Sequence, residues 1–162
     1  MRTALVLAAL LVAGPVLAGS VPALDPGHGA VLSLPFAKTM VTQCSRTSPR
    51  DVEGTWTPDA AEIRELEARL PAVLATFAAN DALHLFKPAG DFIRQYVGIV
   101  RAGRKRVYIN AYPLDGIHTV PGQSPFDWRH ELLELCGGGS EFFGVEYDPQ
   151  ARTFADFDYN GA

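Results

Sequence analysis

The chain has 162 residues, 14 basic against 18 acidic side chains, and a formal net charge of −4. That length suits one domain with a single core, and the acidic balance lacks the basic footprint that non-specific nucleic-acid binding needs. Two cysteines and four scattered histidines form no cluster at metal-ligand spacing, and no cofactor motif is present.

Residues 1–18 read as an export signal. Arg2 is the positive region, 3–13 a short apolar run and Val16-Leu17-Ala18 a small-residue cleavage site; a buried N-terminal helix is the alternative. The run is too short, and too interrupted by Gly14 and Pro15, to span a bilayer, and no later stretch is apolar enough to do so. The first cysteine, Cys44, lies far downstream of Ala18, which disfavours a lipid anchor. A periplasmic or secreted mature chain is therefore expected. In that compartment Cys44 and Cys136 have one intrachain pairing, a disulfide, with two buried thiols as the alternative.

Residues 19–56 form a Pro/Gly-rich irregular lead-in, broken by Pro22, Pro26, Pro35 and Pro49. Its apolar patch at 30–36 allows one short edge strand. A single domain is expected over 57–162, opening with the one long helix. Thr57 suits the N-cap, Pro58 the first helical position, and Asp59 and Glu62 the positive end of the dipole. Ile63, Leu66, Leu70, Val73, Leu74 and Phe77 make one apolar stripe, and Glu65 pairs with Arg69 on the outside. Pro71 predicts a kink or a division into two helices, and Asn80-Asp81 a stop.

Strands are predicted over 92–100 and 104–112 around a three-residue loop, Arg101-Ala102-Gly103, with Gly103 left-handed. That register pairs Val97 with Val107, Tyr96 with Tyr108 and Arg94 with Asn110. It places Ile93, Gln95, Val97, Ile99, Val107, Ile109 and Ala111 on an inner face. Arg94, Tyr96, Arg106, Tyr108, Asn110 and Tyr112 fall on an outer, open one. The passage 113–125 is a long loop of the kind usually functional or disordered. Residues 127–136 suit a strand ending in the Gly137-Gly138-Gly139-Ser140 connection, or else a short helix. A second hairpin follows. A loop over 148–152 pairs Tyr147 with Thr153, Val145 with Ala155 and Phe143 with Phe157, which leaves Glu146, Asp156 and Asp158 on an acidic face. The predicted fold is α+β: one main N-terminal helix packed on a four- to five-stranded antiparallel sheet made of two hairpins.

Chemistry is sparse. On a helix His130 and Glu134 would share a face, with Glu131 as a base, but a zinc protease signature needs histidine where Glu134 stands. Paired carboxylates for hydrolysis can be drawn from Glu146, Asp156 and Asp158, as from any acidic strand. No catalytic or metal-binding residue is assigned. The arginines of the first hairpin facing the acids of the second read first as mutual charge pairs. The candidate binding residues are then Tyr96, Tyr108 and Asn110, with Arg94 beside them. A non-enzymatic exported domain binding a protein or envelope component is the first functional expectation; a small extracytoplasmic hydrolase, in one form metal-dependent, is the second.

Arg94-Gln95-Tyr96-Val97-Gly98, Val107-Tyr108-Ile109-Asn110-Ala111, Cys136-Gly137-Gly138 and Phe142-Phe143-Gly144-Val145-Glu146-Tyr147-Asp148 together resemble an uncharacterised family of small exported proteins of Gram-negative bacteria. The resemblance covers about 57–161, implies a periplasmic or secreted protein and carries over no catalytic residue.

Overall fold

The computed structural model describes residues 25–33, 43–80, 89–116 and 126–161. The expected export signal, His84, His118 and residues 117–125 lie outside them. Among the described residues six strands form one sheet: β1 (Gly29–Val31), β2 (Gly54–Trp56), β3 (Phe92–Arg101), β4 (Arg104–Pro113), β5 (Phe143–Asp148) and β6 (Thr153–Tyr159). Their order is β1-β3-β4-β5-β6, with β2 also on β3.

The α+β class holds, with three corrections to its detail. The sheet has six strands and not four or five. It is mixed, because β1 runs parallel to β3. The helix is also mid-chain, preceded by two strands. All three differences come from the two strands of the lead-in: β1 overlaps the start of the 30–36 patch that allowed one short edge strand, and β2 is too short to leave a periodic signal. They complete β3 end to end, β1 beside 94–96 and β2 beside 98–100. Gly98 permits this contact, since a Cβ there would stand 2.1 Å from the Trp56 carbonyl oxygen.

Helix α1 (Ala60–Asn80) runs without interruption through Pro71, so the chain does not divide there. Its cap is Asp59 and not Thr57. Asp59 Oδ1 accepts from the N–H groups of Ala61 at 2.7 Å and Glu62 at 2.9 Å, and Glu62 Oε2 accepts from the Asp59 N–H at 2.8 Å. This reciprocal capping box satisfies donors that Thr57 lies too far upstream to reach. Leu66, Leu70 and Leu74 are buried against Phe92, Tyr96, Val107, Ile109, Phe143, Val145 and Tyr147.

The first hairpin is shifted by one residue from the predicted register. Its loop is the two residues Ala102-Gly103, with φ of 49° and 69°, between Arg101 and Arg104. Two left-handed residues give the turn whose twist matches the strands. Val97 therefore faces Tyr108, Tyr96 faces Ile109 and Gln95 faces Asn110. A one-residue slip in pairing re-sorts the faces. Tyr96 joins Val107 and Ile109 under α1, while Val97, Ile99 and Tyr108 join Leu32 and Val52 on the opposite face.

The second hairpin pairs Asp148 with Thr153, Tyr147 with Phe154 and Glu146 with Ala155, then slips to pair Gly144 with Asp158 and Phe143 with Tyr159. The bulge is marked by Asp156 at φ 52°. One extra residue on β6 lets Phe154 and Phe157, three apart, both pack with the α1-side core. Strict alternation from Phe154 would have turned Phe157 to the other face.

The sheet's other face is not open. Segments 43–53 and 126–138 cover it, joined by the Cys44–Cys136 disulfide with Cα atoms 5.4 Å apart. Residues 127–136 form neither strand nor helix. Trp128, Leu133 and Leu135 pack there on Ile93, Tyr112 and Phe142.

Candidate functional site

The four residues singled out for binding are all buried, and they divide between the two sides of the sheet. Arg94 lies at 0% exposure on the α1 side. Its Nε donates to Tyr96 Oη at 2.9 Å, Nη1 to the Phe92 carbonyl at 2.7 Å, and Nη2 to the Asp25 carbonyl at 2.8 Å and Glu67 Oε1 at 3.3 Å. Tyr96 Oη donates to the same Glu67 oxygen at 2.7 Å. Burial, with Glu67 adding to it against the opposing effect of Arg94, holds the Tyr96 hydroxyl far above its ordinary pKa. The group ties lead-in, helix and sheet together.

Tyr108 and Asn110 belong to the other side. Arg46 donates through Nη1 to Tyr108 Oη at 2.9 Å and through Nη2 to Asn110 Oδ1 at 2.7 Å. Asn110 Nδ2 donates to Gln95 Oε1 at 3.0 Å and to the Leu133 carbonyl at 2.8 Å. Gln95 Nε2 donates to the carbonyls of Trp128 (2.7 Å) and Glu131 (2.6 Å), and its Oε1 accepts from the Leu133 N–H at 2.9 Å. The polar residues of the hairpin thus supply the hydrogen bonds that a neighbouring strand would have given to residues 128–133.

The expected charge pairing is present for the second hairpin. Glu146, fully buried, receives Arg101 Nη1 at 2.8 Å, with Arg106 Nε at 3.6 Å, and Ser48 Oγ donates to it at 3.2 Å. Arg101 also holds Asp156, and Asp158 accepts from the Thr47 backbone N–H and hydroxyl. Arg94 does not take part; its carboxylate partner is Glu67. On the exposed 127–131 turn, His130 Nδ1 lies 2.8 Å from Asp127 Oδ2. That contact leads the causes that hold the Asp127 carboxyl below its usual range. Among the described residues no three His, Cys, Asp or Glu side chains are grouped to hold a metal ion.

A groove between α1 and β6 has a volume of about 820 Å³, against about 380 Å³ for a polar hollow beside Glu62, Lys105 and Gln150 and about 170 Å³ for one beside Thr47, Arg50 and Asp158. Ala68, Ala72, Val73 and Phe77 line it from the helix, and Phe154, Ala155 and Phe157 from the strand. It exists because alanines at 68, 72 and 155 are too short to close the gap between helix and sheet edge. Arg69 and Arg152 stand in its lining, both directed at one oxygen, Glu65 Oε1, at 3.3 and 2.9 Å. Tyr147, whose ring packs on Phe154 with centroids 4.9 Å apart, feels the charges of Glu65, Arg69 and Arg152. Its buried hydroxyl has no hydrogen-bond partner among the described residues.

The sequence pattern did not expose this site. Phe154 reaches it because the turn pairs it with Tyr147, one residue from the predicted Tyr147–Thr153 register, and Arg152 reads as part of a turn. The Glu65–Arg69 pair was legible; that Arg152 joins it was not.

The described residues define an α+β domain with one α-helix on a six-stranded mixed sheet, and the groove between α1 and β6 is apolar with two arginines in its lining. Comparison with protein-family models, curated proteins and solved structures returns no match.

Proposed function

We propose that the protein is an exported, non-enzymatic binding domain, periplasmic or secreted after cleavage near Ala18, and that it holds a protein or envelope component in the groove between α1 and β6. The groove carries this reading: it is apolar on both walls, while Tyr108, Asn110 and Gln95 on the opposite face are engaged in internal hydrogen bonds. The Cys44–Cys136 disulfide accords with an oxidising compartment, and no described helix is long and apolar enough to cross a membrane.

Affinity capture from a periplasmic extract tests the site, with wild-type protein compared with Val73→Asp and Phe154→Ser. A component retained by wild type and lost by both variants, with unfolding midpoints close to one another, is the expected outcome. Equal recovery by all three proteins overturns it. Release of a chain beginning at Gly19 on osmotic shock of a Gram-negative host checks the address.

A further inference from the structure

The groove has features beyond apolarity, and they favour one kind of occupant. Its strand wall runs from Arg152 to Phe157, a length of about 20 Å at roughly 3.3 Å per residue. That accommodates five or six residues of extended chain. Strand β6 is bonded to β5 on one side and has no described strand on the other. Over Thr153–Ala155, before the bulge, its pairing is regular, so its outer backbone groups are set to receive an added strand.

The cationic end specifies which part of a chain would lie there. Each guanidinium carries five N–H donors, yet Arg69 and Arg152 share a single carboxylate oxygen and are 44% and 61% exposed. One negative charge against two positive leaves a net positive end, and bidentate carboxylate recognition suits arginine. The unpartnered Tyr147 hydroxyl lies within the field of the same groups. Asp156, the acid in the groove lining, is already held by Arg101.

Resting on the groove as the binding site, we propose that it receives the C-terminal segment of a partner polypeptide. The terminal carboxylate sits at Arg69 and Arg152, apolar side chains fill the space beside Val73 and Phe154, and the chain is laid antiparallel to β6. The polarity follows because the arginines stand where β6 begins, so a chain ending there runs against the strand. An anionic acyl chain would match the wall and the arginines but would offer no backbone groups to pair with the strand over Thr153–Ala155.

The test uses the oxidised mature chain and a library of random heptapeptides displayed with free C-termini. Enriched sequences are synthesised as fluorescent peptides and titrated by anisotropy, with dodecanoate as the acyl probe. The expected result is saturable binding that weakens about tenfold or more when the carboxylate is amidated. Arg69→Gln and Arg152→Gln should each weaken it several-fold at an unchanged unfolding midpoint. Equal binding of acid and amide overturns the terminal-carboxylate proposal. If Val73→Asp also abolishes that binding, the groove itself survives as a site. Failure to enrich any peptide, or dodecanoate binding with no peptide competition, overturns the proposal in favour of another ligand class.

Discussion

Ala102 decides more than its size suggests. Its φ of 49° is the left-handed conformation, which costs a residue with a Cβ roughly 1 kcal/mol. The turn accepts that cost because only a two-residue loop brings Tyr96 against Ile109 and Val97 against Tyr108. Asparagine tolerates this conformation better and is the preferred partner of a following glycine. Ala102→Asn should therefore stabilise by about 0.5–1 kcal/mol, read as a raised urea midpoint with an unchanged slope. A lower midpoint would count against the turn as described. Gly103 was legible as the left-handed residue of the loop; the second such residue was not, since alanine carries no turn signal. That one omission moved Tyr96 to the wrong side of the sheet.

At the level of elements, the segment 126–138 is the least self-sufficient part of the described chain. It has no strand of its own, and its backbone is held by Gln95, Asn110, Gln43 and Asn160. The disulfide fixes it to the 43–53 segment across a sequence separation of 92, which in the chain-entropy treatment contributes roughly 4–5 kcal/mol. Cys44→Ser with Cys136→Ser should lower stability by about that much. Amide exchange should quicken over 126–138 well before β4 and β5 respond. Uniform loss of protection would contradict this division of labour. Reduction of the native chain should add the mass of two hydrogens. Helix α1 and both hairpins were legible because each exceeds one period of its pattern. β1 was legible only as the short edge strand that the 30–36 patch allowed; β2 and the strand-less loop were not legible, since three residues or a chain bonded to side chains show no period.

For the molecule as a whole, four tyrosines are buried across both faces of one sheet. Tyr96 and Tyr147 lie under α1, and Tyr108 and Tyr112 lie on the loop-covered side. Burial, the leading cause in each case, pushes all four hydroxyls above the ordinary tyrosine range. The unfolded chain releases these protons near pH 10 while the folded chain retains them. Stability should therefore be independent of these groups below about pH 9 and fall above about pH 10, by up to roughly 1.4 kcal/mol per pH unit for each tyrosine. Urea unfolding across the alkaline range, with phenolate absorbance followed in parallel, checks the sign; ionisation that precedes unfolding would place the rings at the surface.

The sequence alone determined the α+β class, the apolar stripe of α1, the two hairpins and the only disulfide available, because local periodicity and covalent arithmetic are properties of contiguous residues. Tertiary structure decided which residues share a face. A turn one residue shorter and a bulge at Asp156 each displaced the pairing by one, and in a strand one residue is the difference between two sides. It also decided that the hairpin's polar groups would hold a loop, and that Arg69 and Arg152, 83 positions apart in the chain, would stand together at the end of an apolar groove. Contacts between distant elements depend on how those elements pack, and no local pattern records them.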